Sequence, residues 1–243
     1  MGHSCRAPRR IGGLLYLVII VAGLAGEIFV RGSMVVSGNP AATANNVIAS
    51  TSLWRAGIAG DLVMHIYDVG VMLVFYVLLR PVSGSLALLA LLFNLVQTAV
   101  LVANKINLLL PLFLLGDAAY LTAFTPRQLQ ALAYVSLRTH DYGFGFGLIF
   151  FGVEWLVIGY LIFQSGYLPK ALGILMALAG ACYLTNSFAL ILYPPLASRL
   201  FPAIMLPPFV AESSLALWLV IKGVDLAKWA AQARSLPGRI DAL

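Results

Sequence analysis

Residues 142–163 read YGFGFGLIFFGVEWLVIGYLIF, and this stretch decides the fold class. A helix of about 20 mostly apolar residues is long enough to cross the hydrocarbon layer of a bilayer, and Glu154 is the only charged side chain in the stretch. Gly145, Gly152 and Gly159 recur every seven residues, and small residues on one helix face let a neighbouring helix approach closely in lipid. The stretch therefore predicts a membrane-spanning helix with a close-packed face.

The rest of the 243-residue chain has the same character. Hydrophobic residues make up 61% of it and charged residues 10%, with a mean hydropathy of +0.96, whereas about a quarter of the residues in a soluble domain are charged. The sequence therefore predicts a multi-pass membrane protein whose main partner is membrane lipid. We attribute the net charge of +6 to basic residues in cytoplasmic loops, and nucleic acid is not expected as a partner. The only cysteines, Cys5 and Cys182, cannot form a CxxC pair.

Six segments are apolar and long enough, or nearly so, to span the membrane. They are approximately residues 11–30, 58–79, 83–103, 142–163, 171–192 and 207–223. No internal repeat is visible. The sequence therefore predicts one all-α domain over residues 1–243, an integral membrane bundle of six helices that ends in a polar cytoplasmic tail at residues 224–243.

The segment between the third and fourth spans allows several interpretations. Ile106 to Leu115 is apolar but too short to span alone, and Pro111 lies inside it. It lengthens the third helix, re-enters the membrane, or forms a strained seventh span with Asp117 to Phe124, and we prefer six spans. Pro126 to Arg138 has apolar residues at helical spacing, which predicts an amphipathic helix on the membrane surface.

The basic residues at the ends of the spans predict the orientation. Nine lie on the side that holds both termini, namely Arg6, Arg9, Arg10, Arg80, Lys170, Lys222, Lys228, Arg234 and Arg239. Five lie on the other side, namely Arg31, Arg55, Arg127, Arg138 and Arg199. Because basic residues gather in cytoplasmic loops, we expect an inner-membrane protein with both termini in the cytoplasm and with residues 32–56 and 116–141 outside.

Ionisable and amide side chains lie within the predicted spans, most of them toward the outer face. A charge at bilayer depth costs at least ~2.5 kcal/mol on insertion scales, so each needs a partner or a purpose. Asp61, His65 and Asp68 stand at i, i+4 and i+7, which places them on one helix face. We infer an outward-facing polar pocket. Its expected lining residues are Glu27, Asp61, His65, Asp68, Asn94, Lys105, His140, Glu154, Asn186 and Glu212.

Two interpretations of these residues remain open. In the first they satisfy one another, with Lys105 paired to Glu27 or an aspartate, His65 to Asp68, and Asn94 and Gln97 joining neighbouring helices. In the second they form a site, because five carboxyl groups exceed the two or three bases at that depth. Some carboxyl groups must then be protonated, hydrated or bound to a cation. We favour the first interpretation for any single residue and the second for the set.

This surplus of acidic groups is compatible with three functions. The leading hypothesis is that the protein binds or moves a small amphipathic molecule, a lipid or a cation. The alternative is a membrane-embedded hydrolase, in which a divalent metal at His65, Glu154 and Glu212 activates water and Asp61 or Asp68 is the general base. A second alternative is a structural subunit of a membrane complex. No paired metal motif such as HExxH is present, and the sequence names no substrate.

The sequence resembles a known family over nearly its whole length. The motifs that carry the resemblance are GGLLY at 12–16, Glu27 to Arg31, Asn45 and Asn46, Asp61, GLIFFG at 147–152, GYL at 159–161, SGYLP at 165–169, LGIL at 172–175, Glu212 and LALWLVIKG at 215–223. They resemble the bacterial multi-pass membrane family known as domain of unknown function 4386. The resemblance implies a compact helical membrane domain and no established activity.

Some positions of the family pattern bear on the site. Glu212 matches the pattern and is the first site candidate, followed by Asp61. The residue after Phe-Phe-Gly-x is commonly His in the family, whereas this chain has Glu154, and an acidic residue is common near Asn186. The resemblance implies that these polar positions face a site that could hold a cation, although Glu in place of His weakens a strict zinc site.

Overall fold

Helices account for nearly all of residues 6–234, the part of the chain that the computed structural model describes, with side chains described from Gly13 onward. The described part leaves out several residues named above: Cys5, Arg239, the side chains of Arg6, Arg9 and Arg10, and the end of the predicted tail. The helices are α1 (Arg6–Ala25), α2 (Gly32–Met34), α3 (Pro40–Ala49), α4 (Thr51–Leu79), α5 (Gly84–Asn104), α6 (Ile106–Leu114), α7 (Pro126–Ser165), α8 (Lys170–Leu192), α9 (Pro194–Leu200), α10 (Leu206–Ile221) and α11 (Leu226–Arg234). Residues 6–234 contain no strand, which confirms the all-α prediction.

Six helical segments of the described chain are long and apolar enough to cross a membrane, as predicted. They run over Gly13–Met34, Thr51–Leu79, Gly84–Leu114, Pro126–Ser165, Lys170–Leu192 and Ala203–Ile221. Many of their large apolar side chains are exposed. Exposed apolar surface on this scale is expected of helices that face lipid.

The apolar segment after α5 lengthens the third span. Only Lys105 separates α5 from α6, and the two together form the span Gly84–Leu114. The indole nitrogen of Trp54 donates to the Leu108 carbonyl at 2.8 Å, and Ser136 Oγ donates to the Asn107 carbonyl at 2.5 Å. These contacts hold α6 against α4 and α7. Of the three alternatives, the segment therefore follows the first and lengthens the third span.

The fourth span is much longer than its apolar stretch. Residues 126–138 are helical as expected, but they are the first turns of the continuous helix α7 and not a separate helix. Thr125 and Gln128 form a capping box at its start, and Gly166 ends it in the left-handed conformation, with φ of 69°. Leu137 is buried in a small core with Trp54, which explains why this part of α7 packs inward.

The predicted outer loop at 32–56 also contains a helix. Pro40 begins α3, and the side chain of Asn39 accepts a hydrogen bond from the backbone nitrogen of Ala42, an N-cap that stabilises the helix start. Asn46 lies inside this helix and donates to the Met34 carbonyl at 3.1 Å. The segment therefore packs against the end of the first span.

The six spans form a closed ring. In order around it, α1 contacts α4, α4 contacts α5, α5 contacts α7, α7 contacts α8, α8 contacts α10, and α10 contacts α1 again. The main core lies inside one part of this ring and includes Tyr16, Phe75, Trp155, Met176 and Leu215. Side chains that point inward from different spans therefore meet, and this arrangement positions the polar groups described below.

A buried tyrosine joins the α7–α8 connection to the end of α4. Tyr167 Oη donates to the Leu78 carbonyl at 2.7 Å, and the indole of Trp229 donates to the same carbonyl at 3.0 Å. Burial raises the pKa of the Tyr167 phenol, so it stays a neutral donor at physiological pH. This contact holds the α7–α8 connection and the segment that follows α10 against α4.

We expect Tyr167→Phe to lower the free energy of unfolding by about 0.5–1.5 kcal/mol, the usual net value of one hydrogen bond. Trp229 still satisfies the carbonyl, which favours the lower half of that range. Thermal unfolding in detergent measures the change. Tyr160→Phe is the matched control because Tyr160 is 53% exposed, and an equal loss in both variants would contradict the role of the Tyr167 hydrogen bond.

Candidate functional site: polar clusters inside the ring

Four charged side chains form a network near one end of the first two spans. Asp61 Oδ2 accepts from Lys105 Nζ at 2.7 Å and from Arg31 Nη1 at 2.7 Å. Arg31 Nε also donates to Glu27 Oε2 at 2.6 Å. Asp61 and Lys105 are each 4% exposed, whereas Glu27 is largely exposed. Two cations and two anions make this ion network, Glu27–Arg31–Asp61–Lys105, balanced in charge.

The backbone at the end of α1 sets the geometry of this network. Residues Gly26–Arg31 continue α1 as a π-helix, a rare conformation that often occurs at functional sites. A Cβ atom added at Gly26 would lie 3.5 Å from Asp61 Oδ1 and 3.8 Å from Arg31 Nη2. Gly26 therefore lies directly beside the contact between the guanidinium group and Asp61.

A second cluster lies where α4, α5 and α7 meet. Asn94 Nδ2 donates to Asp68 Oδ2 at 3.2 Å and to Glu154 Oε2 at 3.3 Å. Thr98 Oγ1 donates to Asp68 Oδ2 at 3.1 Å. Asn94 and Glu154 are each 1% exposed. The structure thus brings three predicted site residues, Asp68, Asn94 and Glu154, into direct contact, and Asn94 bridges the two carboxyl groups.

A third cluster surrounds Glu212 on α10. Tyr16 Oη donates to Glu212 Oε2 at 2.9 Å, and Tyr183 Oη donates to Glu212 Oε1 at 2.5 Å. The ring of Tyr16 also stacks on Trp155, with centroids 6.0 Å apart, and Trp155 follows Glu154 in sequence. The second and third clusters are therefore neighbours inside the ring.

Tyr16 and Tyr183 were not predicted as site residues. A usable signal was present, because a buried tyrosine hydroxyl usually has a hydrogen-bond partner and both residues lie within apolar spans. Assigning Glu212 as that partner requires knowing that α1 and α8 both flank α10. Sequence spacing along a single helix does not contain this information.

The two histidines and Asn186 each have a buried polar atom that is not hydrogen-bonded to these clusters. His65 Nε2, His140 Nε2 and Asn186 Oδ1 are buried and have no hydrogen-bond partner among the described residues. The expected pairing of His65 with Asp68 is not formed. Within residues 13–234, no group of three His, Cys, Asp or Glu side chains could hold a metal ion. The structure therefore does not assemble the predicted metal ligands His65, Glu154 and Glu212.

The charges in the clusters separate into balanced and unbalanced groups. The ion network is neutral as a whole, so its four side chains satisfy one another. Asp68, Glu154 and Glu212 receive hydrogen bonds from neutral groups: Asn94, Thr98, Tyr16 and Tyr183. No ion pair joins these three carboxyl groups to a basic side chain of the described residues, and an unpaired carboxylate at bilayer depth is costly.

Comparison with known proteins shows which family the chain belongs to. An uncharacterized protein of Archaeoglobus fulgidus is 33% identical over 171 residues, which cover 70% of this chain and 86% of that protein. No solved structure matches the chain. Residues 11–223 match the family described as a domain of unknown function, DUF4386. The resemblance seen in the sequence is thereby confirmed, and the chain belongs to this uncharacterised family of multi-pass helical proteins.

Proposed function

We propose that the protein binds and moves a cation through the interior of its helical ring, and that this cation is a proton. One observation carries the proposal. Three carboxyl groups, those of Asp68, Glu154 and Glu212, lie inside the membrane-spanning part and receive hydrogen bonds from neutral partners. A carboxyl group in such surroundings gains or loses a proton with a large change in its interaction energy.

The hydrogen bonds favour a proton over a larger ion. The Asn94 amide already bridges Asp68 and Glu154, and Tyr16 and Tyr183 occupy both oxygens of Glu212. Asp68 and Glu154 thus share one neutral donor, and within residues 13–234 no group of three His, Cys, Asp or Glu side chains is arranged to hold a metal ion. Asn94 Oδ1 is a buried acceptor without a partner among the described residues, so the cluster can accept one further donor hydrogen.

Each of the six spans contributes at least one side chain to the second or the third cluster. Proton binding there can therefore change the contacts between neighbouring spans. The contributing side chains include Tyr16 on α1, Asp68 on α4, Asn94 on α5, Glu154 on α7, Tyr183 on α8 and Glu212 on α10. A proton that arrives at or leaves one carboxyl group changes a hydrogen bond between neighbouring spans. Transport proteins use intramembrane carboxyl groups in this way as proton relays.

We propose the same membrane placement as the basic residues predict, with both termini in the cytoplasm and the protein in the inner membrane. The even number of candidate spans in the described residues supports a common side for the two termini. The nine basic residues on that side support its assignment to the cytoplasm.

Infrared spectroscopy of the purified protein tests the proposal, because neutral and ionised carboxyl groups absorb at different frequencies. We expect wild type at neutral pH to show a neutral carboxyl band that shifts in deuterated water. Glu154→Gln keeps the size and hydrogen-bonding capacity of the side chain and is expected to remove part of this band. Asp141→Asn is the control, since Asp141 is exposed and pairs with Arg138 at 2.9 Å.

Transport is measured with the same variants in liposomes that contain a pH-sensitive dye. We expect wild type to dissipate an imposed pH gradient faster than empty liposomes, and Glu154→Gln to abolish that difference while Asp141→Asn retains it. A wild-type spectrum without a neutral carboxyl band, together with no effect of Glu154→Gln on proton movement, would contradict the proposal.

A further inference from the structure

A cleft of about 380 Å³ lies between the first two spans, and none of Asp68, Glu154 and Glu212 lines it. Its volume is within the range of about 300–1,000 Å³ typical of small-molecule sites. One wall is formed by Ala22, Ala25 and Gly26, and the facing wall by Ala56, Gly57 and Gly60. The small side chains create the cleft, since a Cβ atom added at Gly60 would have no heavy atom within 4 Å.

The cleft is placed for entry from the bilayer. Phe29 and Leu53 also line it and are 69% and 47% exposed. Both walls belong to segments that are long and apolar enough to cross a membrane, which supports an opening toward lipid. The walls themselves are almost wholly apolar, which fits one aliphatic chain better than a polar metabolite.

Asp61 is the one charged residue in the lining, and it determines the headgroup that fits. Arg31 and Lys105 both donate to its Oδ2 atom, whereas Oδ1 lies beside Gly26 in the cleft wall. An ionised carboxylate accepts hydrogen bonds through both oxygens. The cleft therefore presents an acceptor that a ligand hydroxyl or amine could reach.

The charge balance of the ion network distinguishes between these two donors. Glu27, Arg31, Asp61 and Lys105 together carry no net charge. A charged headgroup would leave an uncompensated charge inside the membrane, which is costly. A hydroxyl group supplies a donor and adds no charge.

We propose that this cleft binds an uncharged single-chain amphiphile, such as a monoacylglycerol, from the bilayer. Its hydroxyl donates to Asp61 Oδ1, and its aliphatic chain lies between the small-residue walls of α1 and α4. The site is separate from Asp68, Glu154 and Glu212, so it does not depend on the proposed proton binding.

Native mass spectrometry of the detergent-purified protein tests this site with three ligands of equal chain length: a monoacylglycerol, a fatty acid and an alkylammonium ion. We expect a one-to-one complex that is strongest with the monoacylglycerol. Gly60→Leu fills the cleft and is expected to weaken that complex by at least about tenfold. Gly70→Leu is the matched control, because Gly70 is on the same helix, is exposed and also has no atom within 4 Å of an added Cβ.

Thermal unfolding of both variants accompanies the binding measurement. Ala56→Leu, on the same wall, replaces Gly60→Leu if that variant does not fold. Equal binding of all three ligands, unchanged by filling the cleft, would show ordinary lipid contact and overturn the proposal. Strongest binding of the alkylammonium ion would also overturn it, since the site would then select charge. Unaltered proton movement in Gly60→Leu would show that the two sites are independent.

Discussion

Asp61→Asn is expected to lower the free energy of unfolding by about 3–5 kcal/mol, the range measured when one partner of a buried ion pair is removed. Asp61 holds two cations, Lys105 and Arg31, through one carboxylate oxygen. The amide of asparagine is neutral, so the variant leaves the ammonium group of Lys105 buried without a carboxylate partner. Lys105 is inside a candidate membrane span and 4% exposed, so little solvent reaches it to compensate for the lost charge.

Unfolding by denaturant in a defined detergent measures this change. Asp141→Asn removes one partner of an ion pair of similar length, 2.9 Å, with both side chains more than half exposed. We expect a change of about 0–1 kcal/mol there. The double variant Asp61→Asn/Lys105→Met removes both buried charges and should recover part of the loss. A cost for Asp61→Asn no larger than that for Asp141→Asn would show that the ion network does not stabilise the fold.

The number of spans could be predicted from sequence because each one leaves a local apolar signal. The length of α7 could not, since hydropathy reports the part of a helix in hydrocarbon and residues 126–141 continue it beyond that part. Nothing in this stretch breaks a helix after Pro126, which occupies the first turn. The inward packing of Leu137 against Trp54 depends on a distant segment of the chain.

The sequence marks the polar residues inside the spans, but not all of their partners were predictable from it. Asp61 and Asp68 share one face of α4, yet seven residues separate them by about 10 Å along a helix. They therefore belong to different clusters, one with Lys105 and the other with Asn94 and Glu154. Helical spacing predicts which face a residue is on, whereas the order of spans around the ring decides which side chains it meets.

The close packing of α7 and α8 leads to a further prediction, that Gly159→Ala lowers the free energy of unfolding by up to about 3 kcal/mol. A Cβ atom added at Gly159 would lie 2.7 Å from the backbone nitrogen of Ala177 and 2.7 Å from the Gly173 carbonyl oxygen. Backbone atoms cannot rotate away, so the helices must separate. Overpacking in well-packed cores usually costs about 1–3 kcal/mol, and the higher helix propensity of alanine offsets part of it.

Gly173→Ala tests the same contact from the opposite helix, because its added Cβ would lie 2.6 Å from the Gly159 carbonyl oxygen. The double variant should lose less stability than the sum of the two single losses, since helices separated by one methyl group already have room for the other. Gly70→Ala is the control: no heavy atom lies within 4 Å of its added Cβ, so propensity alone should leave the protein equally or more stable. Wild-type stability in both Gly159→Ala and Gly173→Ala would mean that the seven-residue glycine spacing does not set the distance between these helices.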